Sequence, residues 1–328
     1  MPFNKQKHVR YWRMCANILP DAYQSSDASR MFLGFFIVAA LDLLDVLDNP
    51  DLEKAPISAE ERQKWIDWIY SCQVQDGKGF RGFTGTDLAD RRSPNNRHWD
   101  PGNLPNTFFA LVALLVLGDD LGRVQRELCL QWLPQLQRLD GSFGEILGPG
   151  NEVEGGRDLR YCCCAAGIAY ILHDPAEKPY HPVFDEERLI DYILSCQDYN
   201  GGYGESPLRE PHSGLNYCAI GTFELLARLG GQSSGRAQTA LGNQDRCIRW
   251  LLQRQTTLLY EETQADEDED EEEAGPPAAS FARSPEDAEP TSVVGFNGRD
   301  NKIADTCYCF WNTGALAVST ACDSVIHY

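Results

Sequence analysis

The sequence WLPQLQRLDGSFG, residues 132–144, joins the end of an apolar helical stretch to a glycine-rich turn. In this phrase an aromatic residue, Trp132, is followed five residues later by Gln137 and then by the turn. The same phrase occurs three more times, with its glutamine at positions 73, 197 and 255, so successive glutamines are 64, 60 and 58 residues apart. A repeat of this length predicts an array of helical hairpins in which the phrase is a structural connection.

Two kinds of apolar segment alternate along the chain. The stretch before each glutamine has apolar residues at helical spacing on one side only, as at Trp65, Trp68 and Ile69. The segment after each glycine turn is apolar on nearly every side, and such a helix has to be buried all round. The all-round apolar segments, including an earlier one, are 31–47, 107–117, 161–172, 217–229 and 307–318. We therefore predict an all-α fold, with an outer ring of amphipathic helices around an inner ring of apolar ones.

The chain has 328 residues and a formal net charge of −20, but this acidity is concentrated in one segment. Residues 261–290 contain thirteen acidic residues and one basic residue, and eight of the acids are consecutive, at 266–273. We predict one domain over residues 1–328, interrupted by a disordered acidic insertion at 261–290. The acidic balance argues against a nucleic-acid-binding protein, which needs a basic face.

No segment is typical of a membrane span or of an export signal. The longest nearly apolar run, residues 31–41, is too short to cross a bilayer, and the first ten residues are polar. We therefore predict a cytoplasmic protein whose 12 cysteines stay reduced. Cys162, Cys163 and Cys164 are adjacent in the sequence. They are either three small buried thiols or part of a metal site, and adjacency favours buried thiols.

The densest group of candidate functional residues is RDNKIADTCYCFW, residues 299–311, which opens the last apolar helix. Asp305 stands where a helix N-cap is expected, and Cys307 lies in the first turn, where the helix dipole favours a thiolate. A carboxylate and a thiolate suit Zn²⁺. Asp-x-Cys alone is a weak zinc signal, however, and capping by itself also explains Asp305.

Basic residues precede the same helix. Arg299 and Lys302 lie just before its start, and two cations at a helix N-terminus suit a phosphate or diphosphate group. Ordinary solvated charge is the alternative explanation. His212 and Arg160 occupy the corresponding places before the two preceding apolar helices. Groups at the same level of one ring are expected to converge.

Three stretches resemble the β subunits of type I protein geranylgeranyltransferases: IDWIYSCQ at 66–73, LGDDLGRV at 117–124 and KIADTCY at 302–308. Shorter matches are HVR at 8–10 and ILP at 18–20. The resemblance implies an α–α toroid of six helical hairpins, with about five inner helices present here, that pairs with a prenyltransferase α subunit. It also implies transfer of a geranylgeranyl group from geranylgeranyl diphosphate to the Cys of a C-terminal CaaX motif, usually ending in Leu, on Rho-type small GTPases. Nothing in the resemblance implies insertion into a membrane.

The resemblance further implies roles for single residues. Asp305 and Cys307 would be zinc ligands, and the third ligand, a His, belongs to a last repeat that we find missing. His327 lies 22 residues beyond Asp305, too far along the helix to substitute. The residues that would bind the isoprenoid diphosphate are His212, Arg299, Lys302, Tyr308, Trp311 and, with a looser match, Arg160. The catalytic residues would be Asp305, Cys307, Lys302 and Tyr308. The resemblance leaves a need for Mg²⁺ open, and the missing repeat favours a truncated chain.

Several alternatives remain open. Phe32 stands near the start of the first apolar helix, where the resemblance leads us to expect a small residue, so transfer of a C15 farnesyl group is a competing activity. A farnesyl-transferring or a Rab-directed prenyltransferase β subunit is a further alternative, and the motif at 118–121 favours type I over both. A terpene cyclase would need an acidic motif within an apolar helix, and we find none. A protein of another class, a non-catalytic toroid that only binds partners, would follow from the missing repeat.

Overall fold

The computed structural model describes residues 3–19, 21–47, 57–176, 179–257 and 294–325, with all of their side chains except those of 22, 24 and 320–325. The acidic insertion expected at 261–290 and the residue His327 lie outside the described residues. The described α-helices are α1 (Lys5–Asn17), α2 (Arg30–Leu43), α3 (Ala59–Ser71), α4 (Leu104–Val116), α5 (Arg126–Trp132), α6 (Leu159–Leu172), α7 (Glu186–Ser195), α8 (Ser213–Leu229), α9 (Ser234–Gly242), α10 (Asp245–Leu252) and α11 (Thr306–Val325). The described strands are β1 (Ile146–Leu147), β2 (Val153–Glu154), β3 (Gln255–Thr256) and β4 (Gly295–Phe296), paired antiparallel as β1–β2 and β3–β4.

From α3 to α8, amphipathic and apolar helices alternate as the sequence predicts. In α7 the buried apolar side chains recur at helical spacing, at Leu189, Tyr192 and Ile193, so the helix buries one side. In α8 the adjacent residues Cys218 and Ala219 are both buried, which happens only when several sides of a helix are covered. The prediction that segment 307–318 is buried on all sides is wrong for the described structure, since Cys307 and Cys309 of α11 are exposed and Phe310 is 58% exposed. Among the described helices, none is long and apolar enough to span a bilayer.

The glutamine of each repeat pairs through its backbone with the aromatic residue of the following turn. The pairs in the first three repeats are Gln73–Phe80, Gln137–Phe143 and Gln197–Tyr203, all antiparallel. In the fourth repeat, Gln255 of β3 pairs with Phe296 of β4. The same pairing therefore closes all four repeats, although the residues between Gln255 and Phe296 include the acidic segment.

The side chains of Gln73 and Gln137 clamp one repeat to the next. The Gln73 side chain accepts a hydrogen bond of 2.9 Å from the backbone N–H of Gln125. Gln137 accepts one of 2.9 Å from the N–H of Asp185 and donates one of 2.8 Å to its carbonyl. Gly141, in the turn after Gln137, has a φ of 91°, which glycine adopts without strain. The repeated phrase is therefore a structural connection, and we call these contacts the glutamine clamps.

The chain divides into two compact units, each described here by itself. Unit 1 comprises residues 1–156 and 164–185, and unit 2 comprises residues 157–163 and 186–328. Within unit 1, α2 packs against α1 and α4. Within unit 2, α8 packs against α9 and α11.

Unit 1 contains a buried ion-pair network. The Arg81 side chain, 2% exposed, donates hydrogen bonds of 2.6 and 2.9 Å to the two carboxylate oxygens of Asp100, which is 0% exposed. Arg92 donates a further bond of 2.8 Å to Asp100 and lies 3.4 Å from Asp76. Since an unpaired buried charge is strongly destabilising, this network is part of the structural core of unit 1.

The first apolar helix, α2, is shorter than predicted and carries Phe32 within an aromatic cluster. The helix ends at Leu43 instead of residue 47, because the backbone of Asp45 takes a φ of 55°. The ring centre of Phe32 lies 4.6 Å from that of Phe36 and 4.8 Å from that of Phe109, both in edge-on orientation. Phe32 is therefore held between α2 and α4 of unit 1.

Candidate functional site

The residues that the sequence singled out as a site all belong to unit 2. Arg160 lies in the first turn of α6, and His212 directly precedes α8. The other six come from the loop between β4 and α11 and from the start of α11: Arg299, Lys302, Asp305, Cys307, Tyr308 and Trp311. Three segments far apart in the sequence thus supply the site.

His212 is the N-cap of α8, and this capping contact determines which ring nitrogen carries the proton. Nδ1 accepts a hydrogen bond of 3.1 Å from the N–H of Gly214, so the neutral ring carries its proton on Nε2. Nε2 lies 3.3 Å from the hydroxyl oxygen of Tyr308. Burial, and after it the charges of Arg299 and Arg160, lowers the pKa of His212. The imidazole is therefore a neutral hydrogen-bond donor near pH 7.

Two acidic residues hold the arginines near His212. Asp158 accepts bonds of 2.9 and 2.8 Å from Arg160, and Glu210 lies 3.3 Å from a guanidinium nitrogen of Arg299. Sequence reasoning missed both. Asp158 stands two residues before Arg160, a spacing that could have suggested the pair. Glu210 is 89 residues from Arg299, and no local pattern connects the two.

Gly298 determines where Tyr308 lies. A Cβ at Gly298 would come within 2.2 Å of the Tyr308 ring, so a larger residue would displace that ring. The carbonyl of Gly298 accepts a hydrogen bond of 3.0 Å from the N–H of Ser213, and the Ser213 hydroxyl lies 3.2 Å from the side-chain oxygen of Asn312. These bonds connect the loop before α11 to the start of α8 and keep Tyr308 beside His212.

Asp305 caps α11, in the position predicted from the sequence. Its Oδ1 accepts a hydrogen bond of 2.8 Å from the N–H of Cys307. Hydrogen bonds from the thiol and the backbone of Cys307 lower the pKa of the Asp305 carboxyl. Partial burial, followed by the hydrogen bond to Asp305, raises the pKa of Cys307 to about 11. In the absence of a metal ion, the expectation of a thiolate at Cys307 is therefore wrong, because burial and the adjacent carboxylate outweigh the helix dipole.

The same two side chains could hold part of a metal site. The carboxylate of Asp305 and the thiol of Cys307 are in hydrogen-bond contact, and both residues are exposed. An oxygen and a sulfur donor so close together fit Zn²⁺. In the described part of the chain, no three His, Cys, Asp or Glu side chains are grouped to hold a metal. The described residues thus contribute two donors.

The remaining two residues lie at the edges of this group. The Trp311 ring centre lies 5.2 Å from that of Tyr217 on α8 and 5.1 Å from that of Phe310, so the three rings form an apolar surface. Lys302 is exposed in the loop before α11. The charges that shift the pKa values of His212 and Tyr308 come from residues other than Lys302. The Lys302 carbonyl accepts a hydrogen bond of 3.1 Å from the side chain of Asn297, which anchors the backbone of this residue in the loop.

Comparison with known proteins identifies the class to which this arrangement belongs. The family model of the prenyltransferase alpha-alpha toroid domain matches residues 3–327. Geranylgeranyl transferase type-1 subunit beta of Dictyostelium discoideum is 30% identical in an alignment of length 330, which covers 95% of this chain and 76% of that protein. Protein farnesyltransferase subunit beta of Pyricularia oryzae is 27% identical in an alignment of length 331, which covers 97% of this chain and 51% of that protein.

A solved structure shares the fold. Candida albicans protein geranylgeranyltransferase-I complexed with GGPP superposes with a TM-score of 0.72 and 24% identity, over 98% of this chain and 78% of the matched one. The fold and the family matches together define a prenyl-group transferase. The chain belongs to the prenyltransferase α–α toroid family, as a β subunit of a protein prenyltransferase. This confirms the all-α toroid and the family predicted from the repeats and motifs.

Proposed function

We propose that this chain is the catalytic β subunit of a heterodimeric, zinc-dependent protein geranylgeranyltransferase of type I. Paired with a prenyltransferase α subunit in the cytoplasm, it transfers the C20 group of geranylgeranyl diphosphate to the Cys of a CaaX motif, usually ending in Leu, on Rho-type GTPases. The observation that carries the proposal is the gathering of His212, Tyr308, Arg299 and Arg160 beside the Asp305–Cys307 pair. The name of the Dictyostelium relative supports type I over the farnesyl enzymes.

The polar group binds the diphosphate and stabilises it as it leaves. The His212 ring presents an N–H on Nε2 beside the Tyr308 hydroxyl, and both can donate to phosphate oxygens. Arg299 keeps guanidinium N–H groups beyond the one that contacts Glu210, and Lys302 adds a second, exposed cation. As the bond from the isoprenoid C1 to oxygen breaks, negative charge grows on the diphosphate, and these donors stabilise that charge.

Asp305 and Cys307 would hold the zinc ion through one carboxylate and one thiolate. When bound, zinc lowers the pKa of a coordinated substrate thiol, so that a thiolate is available as the nucleophile. Before binding, the Cys307 thiol has a pKa of about 11, so its proton has to be released when the metal is taken up. Zinc binding by this pair is therefore expected to weaken as the pH falls.

The apolar surface of Tyr217, Phe310 and Trp311 supports an isoprenoid chain next to the polar group. Its rings pack at centre-to-centre distances of 5.1 to 5.4 Å. Aromatic faces contact hydrocarbon well and exclude water, which would otherwise compete with the thiolate for the isoprenoid. Arg160, held by Asp158, provides a fixed cation whose charge acts on His212.

The proposal is tested with a pair of cysteine variants on one helix. Cys307 and Cys309 are both exposed in α11, two residues apart. With the α subunit present, Cys307→Ala should lose zinc and geranylgeranyl transfer to a peptide ending in a CaaX motif, while Cys309→Ala should keep both. Metal content is read by atomic emission and transfer by mass spectrometry. Full zinc occupancy and unchanged kcat in Cys307→Ala would overturn the assignment.

A second candidate is transfer of a C15 farnesyl group. It is favoured by Phe32, because the resemblance leads us to expect a small residue at this position, and here an aromatic ring packs against Phe36 and Phe109. The two diphosphates can be compared in competition on one peptide ending in Leu. A higher kcat/KM for farnesyl diphosphate would decide for this candidate. If Phe32 is responsible, Phe32→Ala should shift the ratio toward the C20 substrate.

A further inference from the structure

A buried arginine in the fourth repeat occupies a place that is neutral in the first three. The residue directly before the repeat glutamine is Cys72, Leu136 and Cys196 in the first three repeats, and it is Arg254 in the fourth. All four side chains are buried, and Arg254 is only 4% exposed. Since a charged side chain is seldom buried without a partner, this exchange indicates a contact that the fourth repeat makes through its side chain.

The backbone around this place is the same in all four repeats. The carbonyl of the residue before the glutamine accepts a hydrogen bond from the N–H of the residue that follows the turn aromatic. These bonds are 2.9 Å from Arg81 to Cys72, 3.0 Å from Gly144 to Leu136, 3.0 Å from Gly204 to Cys196 and 2.9 Å from Asn297 to Arg254. Arg254 therefore differs from its counterparts only in what its side chain does.

The Arg254 side chain connects α10 to the loop before α11. Its Nε donates a hydrogen bond of 3.3 Å to the carbonyl of Trp250 in α10, and the guanidinium carbon lies 4.4 Å from the centre of the Trp250 ring. A guanidinium nitrogen pairs with the carboxylate of Asp300, which directly follows Arg299. The arginine is thus fixed by a helix on one side and holds the loop on the other.

A second contact ties the same loop, residues 297–302, which we call the site loop. The side-chain amide of Asn297, a residue only 6% exposed, donates a hydrogen bond of 3.1 Å to the carbonyl of Lys302. Between the two tied residues, Asn301 has a φ of 58°, in a region that few residues other than glycine adopt. The path of the site loop therefore depends on its ties at Asp300 and Lys302.

Stability alone does not explain why an arginine stands at position 254. Its Nη1 is buried and has no hydrogen-bond partner among the described residues, and a buried unpaired donor costs stability. A buried ion pair is often no more stabilising than apolar side chains of similar volume. The side chain of Asp300 is 58% exposed, so water can solvate this carboxylate when its partner is removed. A neutral side chain, as in the other repeats, would therefore suffice for folding.

We propose that Arg254 is a positioning residue for the diphosphate site. Its ion pair with Asp300 holds the site loop so that Arg299 and Lys302, which lie on either side of Asp300, are kept where they bind the leaving group. Arg254 is buried and acts through the loop without touching the substrate. Donors that are already fixed lose less freedom on binding, and small displacements of such groups cost catalysis heavily. The effect on the substrate rests on the proposed function, whereas the anchoring of the loop does not.

The anchoring is tested by hydrogen exchange on the full chain with its α subunit. In Arg254→Met an apolar side chain of similar length fills the buried place, and we expect deuterium uptake of peptides covering 295–305 to rise about twofold or more at short times. Arg249→Met, at an exposed position on the same helix, is the matched control and should leave this uptake at the wild-type level. Unchanged uptake in Arg254→Met would overturn the anchoring.

Thermal melting separates anchoring from a purely structural role. Arg254→Met should melt close to the wild type, and failure of this variant to fold would overturn the proposal by making Arg254 a residue of the core. Arg254→Lys keeps a cation beside Asp300 but lacks the planar guanidinium that stacks on Trp250, so its uptake should fall between those of wild type and Arg254→Met. Uptake as high in the lysine variant as in the methionine variant would show that the ion pair is not the anchor.

The effect on the substrate is read from the separate Michaelis constants. Arg254→Met should raise the KM for geranylgeranyl diphosphate by about tenfold, with the KM for the CaaX peptide changed by less than about twofold and zinc content unchanged. Equal changes in both constants would overturn the positioning role, since general loss of structure affects both substrates. Absence of transfer by the wild type would count against the proposed function, while raised uptake in Arg254→Met would still establish the anchor.

Discussion

Units 1 and 2 each contain a cluster of arginines and carboxylates, and burial is the main difference between the two. In unit 1 the side chains of Arg81 and Asp100 are 2% and 0% exposed. In unit 2 Arg160 and Arg299 keep 70% and 44% exposure although each has an acidic partner. A buried pair has exchanged its hydration for protein contacts, whereas an exposed guanidinium held on one side can still bind a ligand. Exposure therefore distinguishes the structural cluster from the candidate site.

The largest effect that would test this difference in burial is a loss of stability in unit 1. Among the described residues, Arg81→Met leaves Arg92 as the one arginine paired with the buried Asp100 carboxylate, and breaking a buried ion pair costs about 3–5 kcal/mol. We expect that loss in the free energy of unfolding, measured by urea denaturation. Arg91→Met, at an exposed position in the same region, is the control and should change stability by less than about 0.5 kcal/mol. Similar losses in the two variants would remove the distinction.

In unit 2 the expected effect is on catalysis. Arg299→Met and Tyr308→Phe each remove donors from the proposed diphosphate site, and we expect kcat to fall by about 100-fold or more, with little change in the unfolding midpoint. Arg209→Met, at an exposed position nearby, should leave kcat unchanged. Steady-state transfer assays and thermal melts separate the two effects. A large loss of stability with normal kcat would make this cluster structural, like that of unit 1.

Asp305 allows capping and metal binding to be separated. Asparagine caps a helix about as well as aspartate, so Asp305→Asn should keep the stability of α11 but lose affinity for zinc. Asp305→Ala should lose the affinity and, in addition, about 1 kcal/mol of stability. Zinc titration and urea denaturation of both variants measure these effects. Equal stability of the two variants would show that the cap seen between Asp305 and Cys307 contributes nothing.

The smallest effect concerns pH. Folding lowers the pKa of His212 from its usual value near 6.5, mainly through burial, so the unfolded chain binds the proton more readily. This group therefore costs stability as the pH falls below about 6.5 and has no effect well above it. His212→Asn retains a cap acceptor and should lose less stability than the wild type between about pH 6.5 and 5. Parallel stability curves would contradict the assignment.

Much of the fold could be predicted because its signals are local. A glutamine, an aromatic and a glycine within a few residues predict the turn, and the helical spacing before Gln137 or Gln197 predicts the amphipathic helix. The cap at Asp305 is a local signal of the same kind. The end of α2 was less predictable, because the apolar pattern continues to Leu47 while the backbone leaves the helix at Asp45.

The details of the site could not be predicted, because they depend on contacts between distant segments. The partner of Arg299 lies 89 residues away, and the His212–Tyr308 contact joins residues 96 apart. The error at Cys307 has a different origin. A helix-dipole argument considers the backbone alone, whereas the pKa of this thiol also depends on burial and on the carboxylate beside it. Local pattern thus indicates which residues are candidates, and tertiary contacts determine their chemistry.

The glutamine clamps also bear on how the chain folds. The clamps of Gln73 and Gln137 join residues 52 and 48 positions apart, a span of about one hairpin. Each clamp can therefore close as soon as the next helix has begun, without waiting for the end of the chain. Contacts of such limited sequence separation favour rapid folding, and domains fold from the N-terminus during synthesis. Gln73 is thus placed to secure the first hairpins while the residues of unit 2 that form the candidate site are still to be made.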